Sequence, residues 1–444
     1  MPTPTLLVTA RDPSATASWP CRSDGSLPRP PLGTSAVRPD VRPALWPRRC
    51  TGLWPGRWTF LWPGGPSQAL LGLLLALTLL LAGCAGAPRE GAGPASGRDD
   101  QPGTAAPAPR VQIAVLLPEA GRYAEAGKAV RTGIVAAQTQ GGQDTELRFY
   151  ASRDPRQTPE LLRQAAANGA SLAIGPLEKE AVEALALQPA LPIPTLALNR
   201  ATSEAAPANL YQFALDPEDE ASDAARKAWG LGFHGALLLY PANPWGERLA
   251  RGFRREWLGR GGTFAATHAF DTEQPDLPQG LLADALAGSI HAASAECIFL
   301  VATAAQARQL WPQILASAPG LPPVFATSHI FEGAQDIEGN QLLTGVQFVE
   351  IPWMVDTAPT DPLSRASLDR AQGGLDPRYI RLYAMGIDAY RLLPYLEGLT
   401  ARPGAYVDGR TGRLSIDDRR RVQRELVLAR MDSLGPTRLA TLTP

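Results

Sequence analysis

From residue 111 onward, short apolar runs alternate with longer stretches in which apolar residues recur every three to four positions. Short apolar runs predict buried strands, and the longer stretches predict amphipathic helices. Strands are expected first at residues 111–117, 147–151, 172–175, 193–198 and 209–215. Helices are expected between them at residues 119–140, 155–168 and 178–188. This alternation predicts a parallel sheet with helices on both faces.

The same pattern restarts near residue 235. Strands are expected at residues 235–240, 263–270, 297–302 and 324–328, with a crossover strand at 345–351. Helices are expected at residues 245–260, 281–292, 305–316 and 376–396, and turn signals predict a hairpin within 404–416. The region is longer than one core usually supports. The fold class is therefore α/β and bilobal, with two doubly wound parallel sheets joined by crossovers and a cleft between the lobes.

An unbroken apolar run at residues 69–82 ends in Leu-Ala-Gly-Cys at residues 81–84. A bilayer-spanning helix needs about 20 residues, so this run is too short to span but suits an export signal. Small residues before a cysteine are what a lipoprotein signal peptidase requires. The sequence thus predicts a signal peptide at residues 67–83, cleavage between Gly83 and Cys84, and a lipid on the Cys84 sulfur.

The regions on either side of this signal have low-complexity composition. Residues 1–66 are rich in Pro and Arg and show no helical or strand period, so they are either a start-site artefact or a disordered extension. Residues 84–110 are mostly Gly, Ala, Pro and charged residues, which predicts a flexible tether with a coil span of about 30 Å. The membrane attachment is therefore expected to be a lipid followed by a short linker.

Charge and cysteine content narrow the function classes. Removal of residues 1–83 would leave 34 basic and 40 acidic groups, a net charge of about −6, which argues against a nucleic-acid partner. Two of the four cysteines precede the signal and Cys84 would be acylated, so Cys297 remains, in an apolar stretch that predicts a buried structural thiol. The chain has no Gly-x-Ser-x-Gly elbow, and its four histidines have no metal-binding spacing. We expect no enzyme activity, no catalytic residues, no metal and no cofactor.

Loops that follow strand ends supply the candidates for a ligand cleft, because such loops converge at one edge of a parallel sheet. The candidates are Gly121, Arg122, Tyr123, Gly175, Pro176 and Asn199 in the first half, and Tyr240, Asn243, Trp245, Ser328 and His329 in the second. Each also has a structural interpretation: turn geometry for the glycines, an Asx turn for Asn199, aromatic packing for the rings and surface placement for His329. Whether the cleft holds a small ligand stays open.

Two further features are polar residues in unusual settings. Asp388 lies in an otherwise apolar predicted helix, where a buried carboxylate needs a cap or a hydrogen-bond partner. The basic residues 419–421 with Arg424 predict a solvated helix face, or alternatively a protein-binding patch.

Several segments together resemble the penicillin-binding-protein activator lipoproteins, the LpoA family, which carry a type I periplasmic-binding fold. The first strand, loop and helix carry IAVLLP at 113–118, GRYA at 121–124 and GKAVRTG at 127–133. Further matches lie at residues 173–177, 191–199, 211–215, 327–328, 343–348, 352–353, 383–389 and 409–414. The similarity covers residues 111–430, and the order and spacing of the segments carry it.

The resemblance implies lobe I at residues 111–232 and 343–402, and lobe II at residues 233–342 and 403–444. Family members are outer-membrane lipoproteins that face the periplasm and stimulate a class A penicillin-binding protein, a peptidoglycan synthase, through protein contact. Ala85, rather than Asp, follows Cys84, which by the usual sorting rule favours the outer membrane.

One departure keeps an alternative open. Longer family members carry an N-terminal helical-repeat domain, whereas here the expected tether occupies that place. The alternative is a substrate-binding lipoprotein of an amino-acid or amide ABC transporter, or a periplasmic ligand sensor. A transporter component needs charged groups that grip both ends of an amino acid, and the sequence shows no clear Arg and Asp pair for this role.

Overall fold

A computed structural model of the protein describes residues 110–440, apart from residues 142–143, 204, 288–293, 318–319, 334–335 and 357–359. The predicted signal peptide at 67–83, the region at 1–66 and the tether up to residue 109 lie outside the described residues. No helix within the described part is long and apolar enough to cross a bilayer.

Lobe I is built on a parallel sheet of five strands in the order β2-β1-β3-β4-β5. The strands are β1 (Val111–Pro118), β2 (Thr145–Ser152), β3 (Leu172–Ile174), β4 (Thr195–Ala197) and β5 (Leu210–Gln212). The helices between them are α1 (Ala124–Gly141), α2 (Thr158–Ala167) and α3 (Lys179–Ala186). Short 3₁₀ turns at Gly121–Tyr123 and Pro155–Gln157 precede α1 and α2, so the predicted helices at 119–140 and 155–168 begin later than expected.

The side chains of β1 show why this sheet needs helices on both faces. Val115 and Leu117 join the apolar cluster that contains α1, whereas Ala114 and Leu116 join the cluster that contains α2 and α3. All four side chains are buried, because successive residues of a strand point to opposite faces and both faces are covered. The unbroken apolar run of the sequence follows directly from this arrangement.

Lobe II is built on a sheet of seven strands in the order β15-β14-β10-β9-β8-β6-β7. Its parallel strands are β6 (Gly235–Pro241), β7 (Thr263–Phe270), β8 (Cys297–Leu300), β9 (Val324–Ala326) and β10 (Gln347–Glu350). Two strands at one edge, β14 (Val427–Asp432) and β15 (Gly435–Arg438), are antiparallel. The prediction of a parallel sheet therefore holds for β6 to β10, whereas the β14-β15 edge of this sheet is antiparallel.

The helices after β5 complete the two lobes. They are α4 (Pro217–Gly230), α5 (Pro244–Gly259), α6 (Leu281–Ala287), α7 (Ala304–Ser317), α8 (Ile337–Gln341), α9 (Pro352–Val355), α10 (Arg365–Gln372), α11 (Ile380–Leu392) and α12 (Leu396–Ala401). Pro394 lies in a 3₁₀ turn between α11 and α12, which divides the helix predicted at 376–396. A small antiparallel sheet joins β11 (Val407–Asp408), β12 (Arg413–Ile416) and β13 (Val422–Glu425), and β11 and β12 form the predicted hairpin.

Two segments lie on a different lobe from the one expected. Helix α4, within 111–232, packs against α5 and the strands β9 and β10, because its buried face is needed to cover the second sheet. Strand β10, within 343–402, pairs with β9 and β14 and so belongs to the second sheet. The remainder of that return segment does reach lobe I, where α11 packs closely on α1.

Glycines at the contact between α1 and α11 explain how closely these helices approach. A Cβ on Gly133 would overlap the backbone oxygen of Tyr383, and a Cβ on Gly386 would overlap that of Val130. Each glycine therefore lets the other helix's backbone approach more closely than a side chain would permit. This contact attaches the return segment to lobe I.

Candidate functional site

The candidate residues of lobe I follow the carboxyl ends of its parallel strands. Gly121 has φ +74° and opens the 3₁₀ turn that carries Arg122 and Tyr123. The Arg122 guanidinium lies 4.6 Å from the centre of the Tyr123 ring and 3.9 Å from Glu180 Oε1, and it is largely exposed. This corner thus presents an accessible cation that is only weakly paired.

The other lobe I candidates are used within their own loops. Gly175 has φ +97°, and a Cβ there would overlap the backbone oxygen of Leu116. The carbonyl of Pro176 accepts a hydrogen bond from the N–H of Leu198 at 2.8 Å. The Asn199 side chain donates to the carbonyl of Leu177 at 3.0 Å and accepts from the next backbone N–H at 2.9 Å. Strand and loop geometry therefore account for these three residues.

The candidates after β6 form the entry to helix α5. Asn243 caps this helix, since its Oδ1 accepts from the N–H of Gly246 at 2.8 Å. Tyr240 is buried, and the guanidinium of Arg254 lies 5.1 Å from its ring centre. The half-buried ring of Trp245 meets that of His329 edge-on at 5.2 Å. The structure thus brings together the second-lobe candidates Trp245 and His329.

Glu220 joins the candidates Ser328 and His329 to Arg424 of β13, although the sequence patterns did not single it out. It lies on α4 with 4% of its surface exposed and accepts a hydrogen bond from Ser328 Oγ at 2.7 Å. Its carboxylate lies 3.8 Å from His329 Nδ1 and 3.7 Å from Arg424 Nη2. Burial lowers the pKa of His329, with the charge of Glu220 opposing this shift.

Arg381 is the centre of a second group of charges, next to the group around Glu220. It lies on α11 and donates to both oxygens of Glu350, at 3.0 and 2.5 Å, and to the carbonyls of Ser328 and Phe331, at 3.1 and 3.0 Å. Glu350 lies on β10 and is completely buried, which raises its pKa against the opposing charge of Arg381. Because α11 packs on lobe I and β10 belongs to lobe II, this ion pair ties the two lobes together.

A third group of charges lies at the crossover into α4. Arg200, in the loop after β4, contacts Asp216 and Asp219, each at 2.9 Å. Beside it, Arg248 of α5 donates to the two oxygens of Glu218 at 2.5 and 3.0 Å. The described charges that flank this crossover are thus paired with one another, and they leave no free cation and anion to grip an amino acid.

The hairpin turn between β11 and β12 is held by a carboxylate that the sequence did flag. Asp388 of α11 is 1% exposed and accepts hydrogen bonds from the backbone N–H groups of Arg410 and Thr411 and from the Thr411 hydroxyl, each at 2.7 Å. Burial raises its pKa, and the three donors oppose that shift. The hydrogen-bond partner that this buried carboxylate was expected to need is therefore the turn between β11 and β12.

The prediction of a solvated helix face at residues 419–421 and Arg424 was wrong. These residues lie in a turn and in strand β13, and the Arg424 side chain is 3% exposed. Strand pairing with β12 turns Arg424 inward toward Glu220. The sequence around Arg424 could not indicate this ion pair, because its acidic partner lies about two hundred residues earlier in the chain.

The hydrogen bonds, ion pairs and ring contacts of the described residues do not join any lobe I candidate to a lobe II candidate. Their role as ligand contacts therefore stays a prediction. The described residues also contain no group of three or more His, Cys, Asp or Glu side chains that could hold a metal ion. The site is a network of ion pairs around the crossovers, with loop residues at both strand edges.

Curated proteins and solved structures are similar to this chain in sequence and in fold. The Penicillin-binding protein activator LpoA of Edwardsiella ictaluri is 33% identical over 325 residues, which are 66% of this chain and 47% of that protein. The LpoA C-domain from Haemophilus influenzae, described as a regulator of PBP1A, superposes with a TM-score of 0.62 at 26% identity and covers 74% of this chain and 100% of that one. A putative branched-chain amino acid ABC transporter from Chromobacterium violaceum superposes with a TM-score of 0.58 at 32% identity, over 72% of this chain and 100% of that one.

These matches agree on a bilobal type I periplasmic-binding fold. The chain spans about half the length of the curated relatives it matches. The model of the LppC putative lipoprotein family matches residues 106–433, which include nearly all the described residues. The chain belongs to the LppC family of putative lipoproteins.

Proposed function

We propose that this chain activates a class A penicillin-binding protein through direct contact and so regulates peptidoglycan synthesis. The observation that carries the proposal is the match of both lobes to the Haemophilus influenzae domain described as a regulator of PBP1A. The curated relatives named as penicillin-binding protein activators support the same partner class. No catalytic residue is needed for this role.

The proposed mechanism is a shift of the synthase toward its active conformation. A docked protein can favour one conformation only by binding it more tightly than the other, which requires a surface of defined shape. The ion pairs of Arg381 with Glu350 and of Arg200 with Asp216 support such a surface, since they hold the crossovers between the lobes.

The proposed location is the periplasmic face of the outer membrane, with a lipid on Cys84 as the anchor. Membership of the LppC family and the Leu-Ala-Gly-Cys sequence at 81–84 support a periplasmic lipoprotein. Cys84→Ser is expected to move the chain from the membrane fraction to the soluble fraction and to abolish incorporation of radioactive palmitate. A variant that remains lipidated in the membrane would contradict the proposed anchor.

The transporter alternative is less well supported. An amino-acid binder needs free charges for an ammonium and a carboxylate, whereas the described charges beside the crossover into α4 are paired with one another. Calorimetric titration with an amino-acid panel tests this point. Saturable binding that is lost in Trp245→Ala or Ser328→Ala would favour a ligand-binding function of the cleft.

The proposed partner is tested with purified full-length chain in detergent and a class A penicillin-binding protein of the same organism. Immobilised chain is expected to bind the synthase saturably and not to bind an unrelated membrane protein of similar charge. Failure to bind in detergent and in liposomes would overturn the proposal.

A further inference from the structure

A cavity of about 760 Å³ lies between α11, the β11–β12 turn and the start of β14, and its wall includes none of the candidate cleft residues. Its wall includes Arg391 of α11, the hairpin turn with Arg410, the buried Trp353 of α9, and Leu426 and Leu428 near the start of β14. Cavities of about 300–1,000 Å³ are the usual size for drug-sized ligands. The cavity therefore has room for a small organic molecule, and its wall offers both apolar and charged groups.

All three carboxylates on the wall are already engaged. Asp356 accepts two hydrogen bonds from Arg438, at 3.0 and 2.8 Å. Asp408 and Glu425 lie 3.8 and 3.3 Å from the guanidinium of Arg413. A cationic ligand would thus have to break an existing ion pair to find a counter-charge.

The positive side of the wall is different, because the guanidinium of Arg391 has N–H donors to spare. Arg391 is exposed, and its charge acts on the nearby carboxylates of Asp361 and Asp388 without forming a hydrogen bond or ion pair to any residue that the structure describes. Next to it, Arg410 is paired with Asp361, while its buried Nε–H has no acceptor among the described residues. The wall therefore offers a guanidinium with unused N–H donors, whereas each of its carboxylates already has a partner.

We propose that this cavity binds a small anionic ligand whose carboxylate is held by Arg391, and that the ligand class is a short acidic peptide. A guanidinium matches the planar geometry of a carboxylate. The half-buried side chains of Val427, Leu428 and Leu439 on the same wall offer apolar surface for peptide side chains. This site is separate from the cleft candidates and does not depend on the proposed synthase partner.

The position of the cavity gives the ligand contacts on both lobes. Arg391 lies on α11, which packs on lobe I, and Leu428 lies on β14 of the second sheet. Arg410 lies on the turn that Asp388 holds. A bound peptide would thus touch groups attached to both lobes and to the turn between β11 and β12.

The test is calorimetric titration of the full chain with the tripeptide Glu-Ala-Ala, which carries free carboxylates, and with its neutral counterpart Gln-Ala-Ala amide. We expect the acidic peptide to bind at millimolar concentration and the amide not to bind. Arg391→Ala should weaken the affinity at least about tenfold, because it removes a charge-assisted hydrogen bond. Raising the salt concentration should weaken binding as well.

The matched control is Arg251→Ala, since Arg251 is also an exposed helical arginine without a partner among the described residues and lies outside the cavity wall. This variant should bind the acidic peptide as the unmodified chain does. Three results would overturn the inference: no binding of the acidic peptide, equal binding of the amide, or undiminished binding by Arg391→Ala with unchanged circular dichroism. Binding of inorganic phosphate without binding of the peptide would overturn the ligand class.

Discussion

Replacement of Arg381 by alanine tests whether the ion pair with Glu350 holds the lobes together. The change removes four hydrogen bonds and leaves a completely buried carboxylate without its counter-charge. Removing one partner of a buried ion pair costs about 3–5 kcal/mol. With a urea m-value of about 3 kcal/mol/M, the unfolding midpoint should fall by about 1–2 M.

The control for this substitution is Arg378→Ala, three residues earlier in the chain. Arg378 is also ion-paired, to Asp376 at 2.7 Å, but its side chain is 74% exposed. Solvent screens such a pair, so the unfolding midpoint should hardly move. Urea unfolding of the full chain, followed by tryptophan fluorescence, measures both variants under the same conditions.

A second background separates the ion pair from simple packing. In Glu350→Gln the buried group is neutral, so Arg381→Ala should cost less there than in the unmodified chain. An equal cost in both backgrounds would show that the charge of Glu350 is not responsible. A midpoint for Arg381→Ala that matches the Arg378→Ala control would refute the structural role of the pair.

Three further predictions concern reactivity, pH and packing. Burial raises the pKa of Cys297 to about 12, so about one thiol in 10,000 is ionised in the folded chain at pH 8. Mass spectrometry should therefore show alkylation of this cysteine by iodoacetamide only after denaturation. Burial lowers the pKa of His329 in the folded state, so the neutral ring's contribution to stability is present above about pH 6.5 and is lost as the pH falls below that value. In His329→Gln the urea unfolding midpoint should therefore change less between pH 7 and pH 5 than in the unmodified chain. Gly133→Ala should cost about 1–3 kcal/mol in urea unfolding because the new methyl group overlaps α11, whereas Gly259→Ala, which meets open space, should be neutral or stabilising.

Each of these predictions has an outcome that contradicts it. Rapid alkylation of Cys297 in the native chain would show that the thiol is accessible. An unchanged pH profile in His329→Gln would show that other groups set the acid sensitivity. Equal stability of Gly133→Ala and Gly259→Ala would show that α1 and α11 are not in close contact.

The sequence predicted most strands because they are buried on both faces. The run at β1 is nearly continuous, since Val115 and Leu116 face different clusters and both must be apolar. Helices α1 and α5 follow for a related reason, as each has one apolar side toward a sheet. The local sequence is sufficient to predict an element wherever burial is the only requirement on its side chains.

Helix α4 was not predicted, although it supplies Glu220, the carboxylate that contacts both Ser328 and Arg424. Its buried face includes Glu220, Ser222 and Asp223 among small alanines, so no strong apolar stripe is present. These polar groups are buried because distant partners satisfy them: Asp223 accepts from the N–H of Leu426, and Ser222 donates to the carbonyl of Gly252. Such pairing depends on tertiary structure and leaves no local pattern.

The candidate cleft residues were found by position rather than by chemistry. A strand end predicts where a loop lies but not which side chain in the loop is free. Asn199 and Asn243 therefore satisfied the positional rule while their amides are used for a loop contact and a helix cap. Arg381 and Glu350 carry more of the site's charge, and neither stands out in the sequence, because a salt bridge between distant elements has no sequence spacing.

The most direct test of the proposed function is the rate of glycan polymerisation by a purified class A penicillin-binding protein, measured on lipid-linked precursor in liposomes that contain the full-length chain. We expect the polymerisation rate to rise saturably with added chain and not to rise with heat-denatured chain. The chain alone should show no polymerisation. A rate that does not change at concentrations where the two proteins are bound would contradict activation by contact.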